Sequence, residues 1–314
     1  MKTNASKKLY NIASGTTICG KWNKRSYKII RKLGEGANGV VYLAEYNKQL
    51  VACKLSENYG SIASEMNILK SFSKVQGSSL GPYLIDADDW KMGLDTVAFY
   101  VMEYIKGKDL LTFIKEYGED WIEVLMLQLL TNLAELHQKG WVFCDLKPEN
   151  LIVTVPSFKI RCVDVGGITL IGRSVKEYTE FFDRGYWELG SRRAEPSYDL
   201  FAVAMIFINA YYPQRFSKQT NSLNELMNAI EKKKELKKYK EVLQNALKGK
   251  YKSATEMRSA LLLLSRVKEE QNKHTVRSKH IASKKKKSRL GETVFIFIIV
   301  CFLYGVYFYT QIIG

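Results

Sequence analysis

The sequence predicts an α+β fold in two lobes, a β-rich small one and then a helical large one, followed by a single membrane-spanning helix. Three observations carry this expectation. Short alternating apolar runs separated by Gly and Asn fill residues 20–105, and apolar residues at three- and four-residue spacing take over from about 109. The last 22 residues, Thr293–Gly314, hold no charge at all. Of 314 residues, 46% are hydrophobic and 12% aromatic, which excludes a mainly disordered chain and suffices for one large domain or two smaller ones.

Residues 1–19 contain no apolar stretch of the length a secretory signal needs, so this N-terminal extension is expected to stay where it is made. Strands are expected at Tyr27–Ile30, Val40–Ala44 and Val97–Met102, with one helical stretch, Ser61–Leu69, among them. The small lobe takes residues 20–105 and the large lobe 106–265. In the large lobe the spacing predicts a helix from Trp121 to His137. A second, Asp199–Tyr211, is almost wholly apolar and belongs at the lobe's centre. The uncharged C-terminal run is long enough for a helix of about 30 Å, and a span is expected over 293–313. Lys284–Lys287 and Arg289 precede it, which sets the lobes in the cytoplasm and the C-terminus outside, and Tyr304, Tyr307 and Tyr309 suit an interfacial belt. No domain beyond the span is expected to sense an external ligand. Gly305 has no small partner four residues away, so self-association through the span has no G-x-x-x-G signal.

The net charge of +16 is regional. Residues 1–230 carry 28 Lys/Arg against 25 Asp/Glu, while residues 231–289 carry 20 against 6. This calls for an anionic partner near the C-terminal half: anionic lipid headgroups near Lys284–Arg289, or DNA along 231–289, bound with little base specificity. Residues 266–292 read as a basic juxtamembrane linker rather than a domain. The five cysteines, at 19, 53, 144, 162 and 301, show no paired spacing, so neither a disulfide framework nor a structural zinc site is indicated.

Gly34-Glu35-Gly36-Ala37-Asn38-Gly39 is a G-x-G-x-x-G string between two strand-like runs. Glycines there let backbone N–H groups approach phosphate oxygens. Because Val40–Ala44 continues as a strand rather than a helix, a dinucleotide fold is disfavoured. Val51-Ala52-Cys53-Lys54 ends a strand on a lysine that alternates inward and needs an anion to offset its desolvation. Asp145-Leu146-Lys147-Pro148-Glu149-Asn150 and Asp164-Val165-Gly166 then supply two carboxylates and an amide, hard oxygen ligands able to hold Mg²⁺ against phosphates.

These strings, in this order, resemble the Hanks-type bacterial serine/threonine protein kinases, and their details are most similar to the YabT-type sporulation kinases of spore-forming bacilli. The resemblance covers residues 20–265 and implies a bilobal protein-kinase-like fold that uses ATP with Mg²⁺ or Mn²⁺ on protein substrates, itself included. It also implies an activity tied to DNA. Carried over, it places Gly34, Glu35, Gly36 and Gly39 over the phosphates, Lys54 on the α/β-phosphates and Glu65 as its partner, with Glu57 the alternative. Val41 and Ala52 are further nucleotide-binding positions. Met102, Glu103 and Ile105 form the hinge and Asp109 approaches the ribose. Asp145 orients the acceptor hydroxyl, Lys147 steadies the transferring phosphoryl group, and Asn150 and Asp164 hold metal.

Three departures stand out. Phe143-Cys144 replaces the usual His-Arg, Val165 replaces the Phe of Asp-Phe-Gly, and only 11 residues separate Lys54 from Glu65. Tyr186-Trp187-Glu188-Leu189 is the expected counterpart of Ala-Pro-Glu, with Ala194-Glu195-Pro196 as a decoy. Asp199 matches a structural Asp that braces the catalytic loop. Thr169, Ser174, Thr179 and Ser191 are candidate autophosphorylation sites, and Cys53 and Cys144 are expected to pack. A pseudokinase or DNA-binding scaffold and a small-molecule kinase remain the alternative readings.

Overall fold

Alternation of apolar residues builds the small lobe. The computed structural model describes residues 11–36, 38–73, 80–219 and 221–313, with side chains outside 71–73, 266–290 and 312–313. Ala37 of the glycine string, most of the N-terminal extension and the side chains of Lys284–Arg289 lie outside the described residues. Strands β1 (Thr17–Cys19), β2 (Ser26–Gly36), β3 (Gly39–Tyr46), β4 (Gln49–Ser56), β5 (Leu84–Met92) and β6 (Asp95–Glu103) form one antiparallel sheet in the order β1-β2-β3-β4-β6-β5. One face presents Tyr27, Ile29, Val40, Tyr42, Cys53, Leu55 and Phe99 to a common core. Helix α1 (Tyr59–Ser73) packs against β4, β5 and β6, burying Ile62, Ile68 and Leu69. Lys54 on β4 and Tyr100 on β6 are register partners, so both leave the sheet on the same side.

Beyond the hinge, β7 (Gly107–Asp109), β9 (Leu151–Thr154) and β10 (Ile160–Cys162) form a three-stranded sheet, and β8 (Trp141–Val142) pairs with β11 (Thr169–Leu170). The remaining large-lobe elements are α2 (Leu110–Tyr117), α3 (Trp121–Gln138), α4 (Pro196–Tyr211), α5 (Ser222–Lys232), α6 (Lys234–Lys237) and α7 (Lys240–Leu247). Every residue of α4 from Tyr198 to Asn209 is buried, as its all-round apolarity predicts, with α3 and α7 packed against it. The last helix, α8 (Ala254–Ile313), begins with Ala254, Met257 and Leu261 buried in the large lobe. From Leu262 onward the chain is a separate unit, described by itself. The basic stretch expected as a linker continues there as helical backbone, and Gly291–Gln311 is long and apolar enough to cross a membrane, two residues ahead of the 293–313 expected.

Because α4 is the element around which the large lobe packs, Phe207→Ala, at a fully buried site, is expected to cost about 3–5 kcal/mol of stability. A urea midpoint unchanged by that substitution would contradict its central place.

Candidate active site

Between the lobes lies a cavity of about 790 Å³, within the range of sites that enclose a nucleotide-sized ligand. Its roof is the β2–β3 turn, with Gly34, Glu35, Gly36 and Gly39, and Val41 and Ala52 follow behind it. Gly39 has φ +134°, and a Cβ there would stand 2.2 Å from the carbonyl oxygen of Leu55, so the turn closes on β4 only with glycine. At Gly34 and Gly36 a Cβ would meet nothing within 4 Å, which leaves their backbone open to a ligand. Met102, Glu103 and Ile105 line the hinge side, and Asp145, Lys147, Asn150 and Asp164 line the floor.

Two predicted residues stand outside this lining. Glu65 sits behind Lys54, whereas Asp109 caps α2 by accepting the Thr112 backbone N–H at 3.0 Å. That capping bond accounts for the Asp109 carboxylate, and the residue of its stretch that borders the cavity is Gly107.

The buried Lys54 ammonium meets Glu65 Oε2 at 2.6 Å and Asp164 Oδ1 at 3.8 Å. Burial pushes the Lys54 pKa down, but the carboxylates of Asp164 and Glu65 more than offset it, and the net shift is upward. Glu65 belongs to α1, one turn beyond Ser61, whose hydroxyl donates to Oε1 at 3.0 Å. Tyr100 donates to Oε2 at 2.6 Å, and burial followed by the Glu65 charge raises its pKa, so it remains a donor. Glu57, the alternative partner, is exposed just past the end of β4. The short Lys54–Glu65 gap is bridged because α1 begins three residues after β4 ends.

The catalytic loop hangs from Asp199 at the start of α4. This fully buried carboxylate accepts the backbone N–H groups of Phe143 at 2.8 Å and Cys144 at 2.9 Å and lies 2.9 Å from His137 Nε2. Cys144 is thereby held at φ 70°, a conformation costly for a non-glycine residue. Its thiol and that of Cys53 are pushed well up by burial, which fits packing rather than reactivity. Downstream, Lys147 Nζ donates to Asp145 Oδ2 at 2.7 Å. The Asn150 amide donates to the Asp145 carbonyl at 2.9 Å and to Oδ2 at 3.2 Å, which leaves its oxygen as an acceptor able to take a cation. Among the described residues no group of three or more His, Cys, Asp or Glu forms a metal cluster. Asp164 and Asn150 are a two-oxygen donor set of the kind Mg²⁺ completes with phosphates and water.

Several contacts of the site were not marked by the sequence, which offered Thr179 only as a candidate phosphorylation site. Thr179 Oγ1 bridges the catalytic loop, donating to Asp145 Oδ1 and accepting from Lys147 Nζ, both at 3.1 Å. Arg161 on β10 clamps the hinge by gripping both carboxylate oxygens of Glu103, at 2.5 and 2.9 Å, and the Gly81 carbonyl at 2.6 Å. Lys176, Glu177 and Tyr178 border the cavity, and Glu177 accepts a hydrogen bond from Asn38 at the tip of the glycine turn. Burial and then Asp164 push the Glu177 carboxyl up, against the pull of Lys54. In the expected Ala-Pro-Glu region, Trp187 is buried, but Glu188 is exposed and pairs with Lys218 at 2.6 Å. The buried acidic anchor of that segment is Asp183, which accepts from Gly185 and Tyr186 backbone N–H groups, Arg192 and Tyr198. None of these side chains carries a spacing signature that marks it in advance.

A glycine-roofed cavity with a carboxylate-paired lysine, a loop aspartate–lysine pair and a two-oxygen metal set defines an ATP-dependent phosphotransferase of the two-lobed type. A model of the protein kinase domain matches residues 27–293. The chain accordingly belongs to the Hanks-type serine/threonine protein kinases, in their YabT-type branch. It is similar to the serine/threonine-protein kinase YabT of Bacillus subtilis, with 54% identity over 254 residues, covering 80% of this chain and 75% of that protein. The cyclin-dependent kinase B2-1 of Arabidopsis thaliana shares 26% over 224 residues, 65% of this chain and 71% of that protein. The serine/threonine-protein kinase cds1 of Schizosaccharomyces pombe shares 32% over 157 residues, 45% and 32% of the two chains.

Thr179→Val keeps the shape at the bridge and removes its hydroxyl. It is expected to lower kcat about ten- to a hundredfold with little change in the KM for ATP. Steady-state kinetics showing only a raised KM would assign Thr179 to nucleotide binding instead.

Proposed function

We propose that this kinase is anchored to the membrane by its apolar C-terminal helix, with its two lobes in the cytoplasm, and that it phosphorylates Ser/Thr hydroxyls of cytosolic proteins and of itself. The observation that supports the site assignment best is the meeting of Lys54, Glu65 and Asp164, brought from β4, α1 and the turn after β10. In this reading the glycine turn and Lys54 bind the phosphates, and the hinge at Glu103–Ile105 takes the adenine, with Met102 behind it. Asn150 and Asp164 hold Mg²⁺, with Mn²⁺ as the alternative; bound metal neutralises charge developing on the phosphoryl oxygens.

The acceptor hydroxyl is received by Asp145, whose carboxylate is oriented by Lys147, Asn150 and Thr179. Catalysis is then mainly positioning and charge stabilisation, because a loose transition state asks little of a general base. Lys147 remains close enough to follow the phosphoryl group as negative charge shifts toward the leaving oxygen.

The domain reading that goes with this function is a kinase domain at 20–265, a basic segment at 266–292 and a span at 293–313. The charge excess of 20 Lys/Arg over 6 Asp/Glu in residues 231–289 supports a polyanion as regulator, with DNA the first candidate and anionic headgroups the second.

The test is phosphate transfer from Mg-ATP by the full chain in bilayer discs, with Asp145→Asn as blank. Transfer above the blank that rises with double-stranded DNA, and loses the rise steeply with salt, is the expected outcome. A rise with anionic but not neutral lipid would move the switch to headgroups. A response to neither would overturn polyanion control, and transfer by Asp145→Asn equal to the parent would overturn the site assignment.

A further inference from the structure

The catalytic loop lacks the arginine that could receive a phosphate from the activation segment, since Cys144 occupies that place, buried and tied to Asp199. The segment between Asp164 and Thr179 nevertheless has a firm position. Its residues 172–175 pair with 192–194, through Gly172 N–H to Ala194 O at 2.8 Å, Ala194 N–H to Arg173 O at 2.8 Å and Val175 N–H to Arg192 O at 2.9 Å. The ribbon delivers the next three residues, Lys176, Glu177 and Tyr178, to the wall of the nucleotide cavity.

Glu177 spans that cavity's phosphate end. One carboxylate oxygen accepts from Asn38 in the roof. The other lies against the floor, where a Cβ built on Gly166 would be 3.5 Å from Glu177 Oε2 and 3.3 Å from Asp164 Oδ1. The carboxylate therefore stands between the tip of the glycine turn and Asp164, two of the groups that meet the terminal phosphates and their metal in the reading given above. It carries the same sign of charge as those phosphates.

We propose that Glu177 is a nucleotide-mimicking gate, a carboxylate of the activation segment that competes with the terminal phosphate for the space between the glycine turn and Asp164 and is displaced when metal–ATP binds. Displacement breaks the Asn38 contact and frees the stretch leading directly into Thr179, which bridges Asp145 and Lys147. Nucleotide occupancy thereby reaches the acceptor side of the site through two residues of chain. This coupling gives the activation segment a controller that needs no phosphate receptor on the catalytic loop. The inference rests on the assignment of Lys54 and Asp164 to the phosphates and metal.

The experiment is equilibrium titration of the full chain in detergent micelles with the magnesium complexes of a non-hydrolysable ATP analogue and of ADP. The parent, Glu177→Gln, Glu177→Ala and Asn38→Ala are compared, with Asp164→Asn as the reference for the site. Removing a competing anion is expected to tighten the triphosphate complex about fivefold or more in both Glu177 variants, within the usual range of coupling between sites. Asn38→Ala is expected to move the same way, and ADP affinity to change less. In kinetics, Glu177→Gln is expected to lower the KM for ATP.

Unchanged or weaker triphosphate binding in the Glu177 variants would overturn the gate, as would equal tightening of ADP. Failure of the underlying assignment looks different, because Asp164→Asn would then bind the magnesium complexes as tightly as the parent.

Discussion

The site depends on one buried positive charge. Lys54 is 6% exposed, and an ammonium so far from water is tolerated only beside carboxylates. Satisfying it ties together three parts of the chain: the middle of the small-lobe sheet, α1 through Glu65, and Asp164 from the large lobe. The tie to α1 is reinforced by Tyr100, which leaves the sheet beside Lys54 and donates to the same glutamate. Moving α1 outward would leave Lys54, Glu65 and Tyr100 each short of a partner. The helix is thus held inward by three desolvated groups rather than by apolar contact alone.

A second buried charge does for the large lobe what Lys54 does for the small one. Asp199 lies at the first turn of α4, where the helix dipole favours an anion, and its two oxygens fix Phe143 and Cys144 by their backbone N–H groups. Because the grip is on backbone, the side chain at 144 is free of it. A cysteine can therefore replace the arginine usual at that position without loosening the loop, and the left-handed turn at Cys144 persists. What the replacement removes is a surface cation beside the activation segment. Order in that segment comes from the pairing of 172–175 with 192–194 and from the buried Asp183 cluster.

Periodicity and motif spacing made the architecture legible: the alternating strands, the amphipathic α3, the all-apolar α4 and the uncharged C-terminal run each have one physical reading. The nucleotide-side positions were legible for the same reason, since glycine strings and short acidic motifs keep chemistry-bearing residues close in sequence. Asp109 stands outside the cavity lining, and an aspartate before a helix looks alike in sequence whether it faces a ligand or caps the helix. The N-cap bond to Thr112 uses its carboxylate locally. Arg161 and Asp183 were illegible, and Thr179 was legible only as a loop hydroxyl, because their side-chain partners lie 9 to 58 residues away. Only a folded loop shows which hydroxyl or guanidinium arrives at Asp145 or Glu103. The expected span, 293–313, and the apolar stretch Gly291–Gln311 differ by two residues at each end, because charge-free length marks a membrane core more sharply than its ends.

The cleft's charge balance explains why metal and gate belong together in this reading. Glu65, Asp145, Asp164 and Glu177 bring four carboxylates to the site, and Glu35 and Glu149 add two to the cavity lining, against the three ammonium groups of Lys54, Lys147 and Lys176. A triphosphate entering such a cleft meets net repulsion unless divalent cations accompany it. Two of the four carboxylates are committed elsewhere, Glu65 to Lys54 and Asp145 to Lys147 and Thr179. Asp164 faces the cavity half-exposed and suits a cation, whereas Glu177 is the carboxylate that metal–ATP displaces in this proposal. Displacing that one anion lowers the repulsion and keeps every group that the metal and the acceptor need.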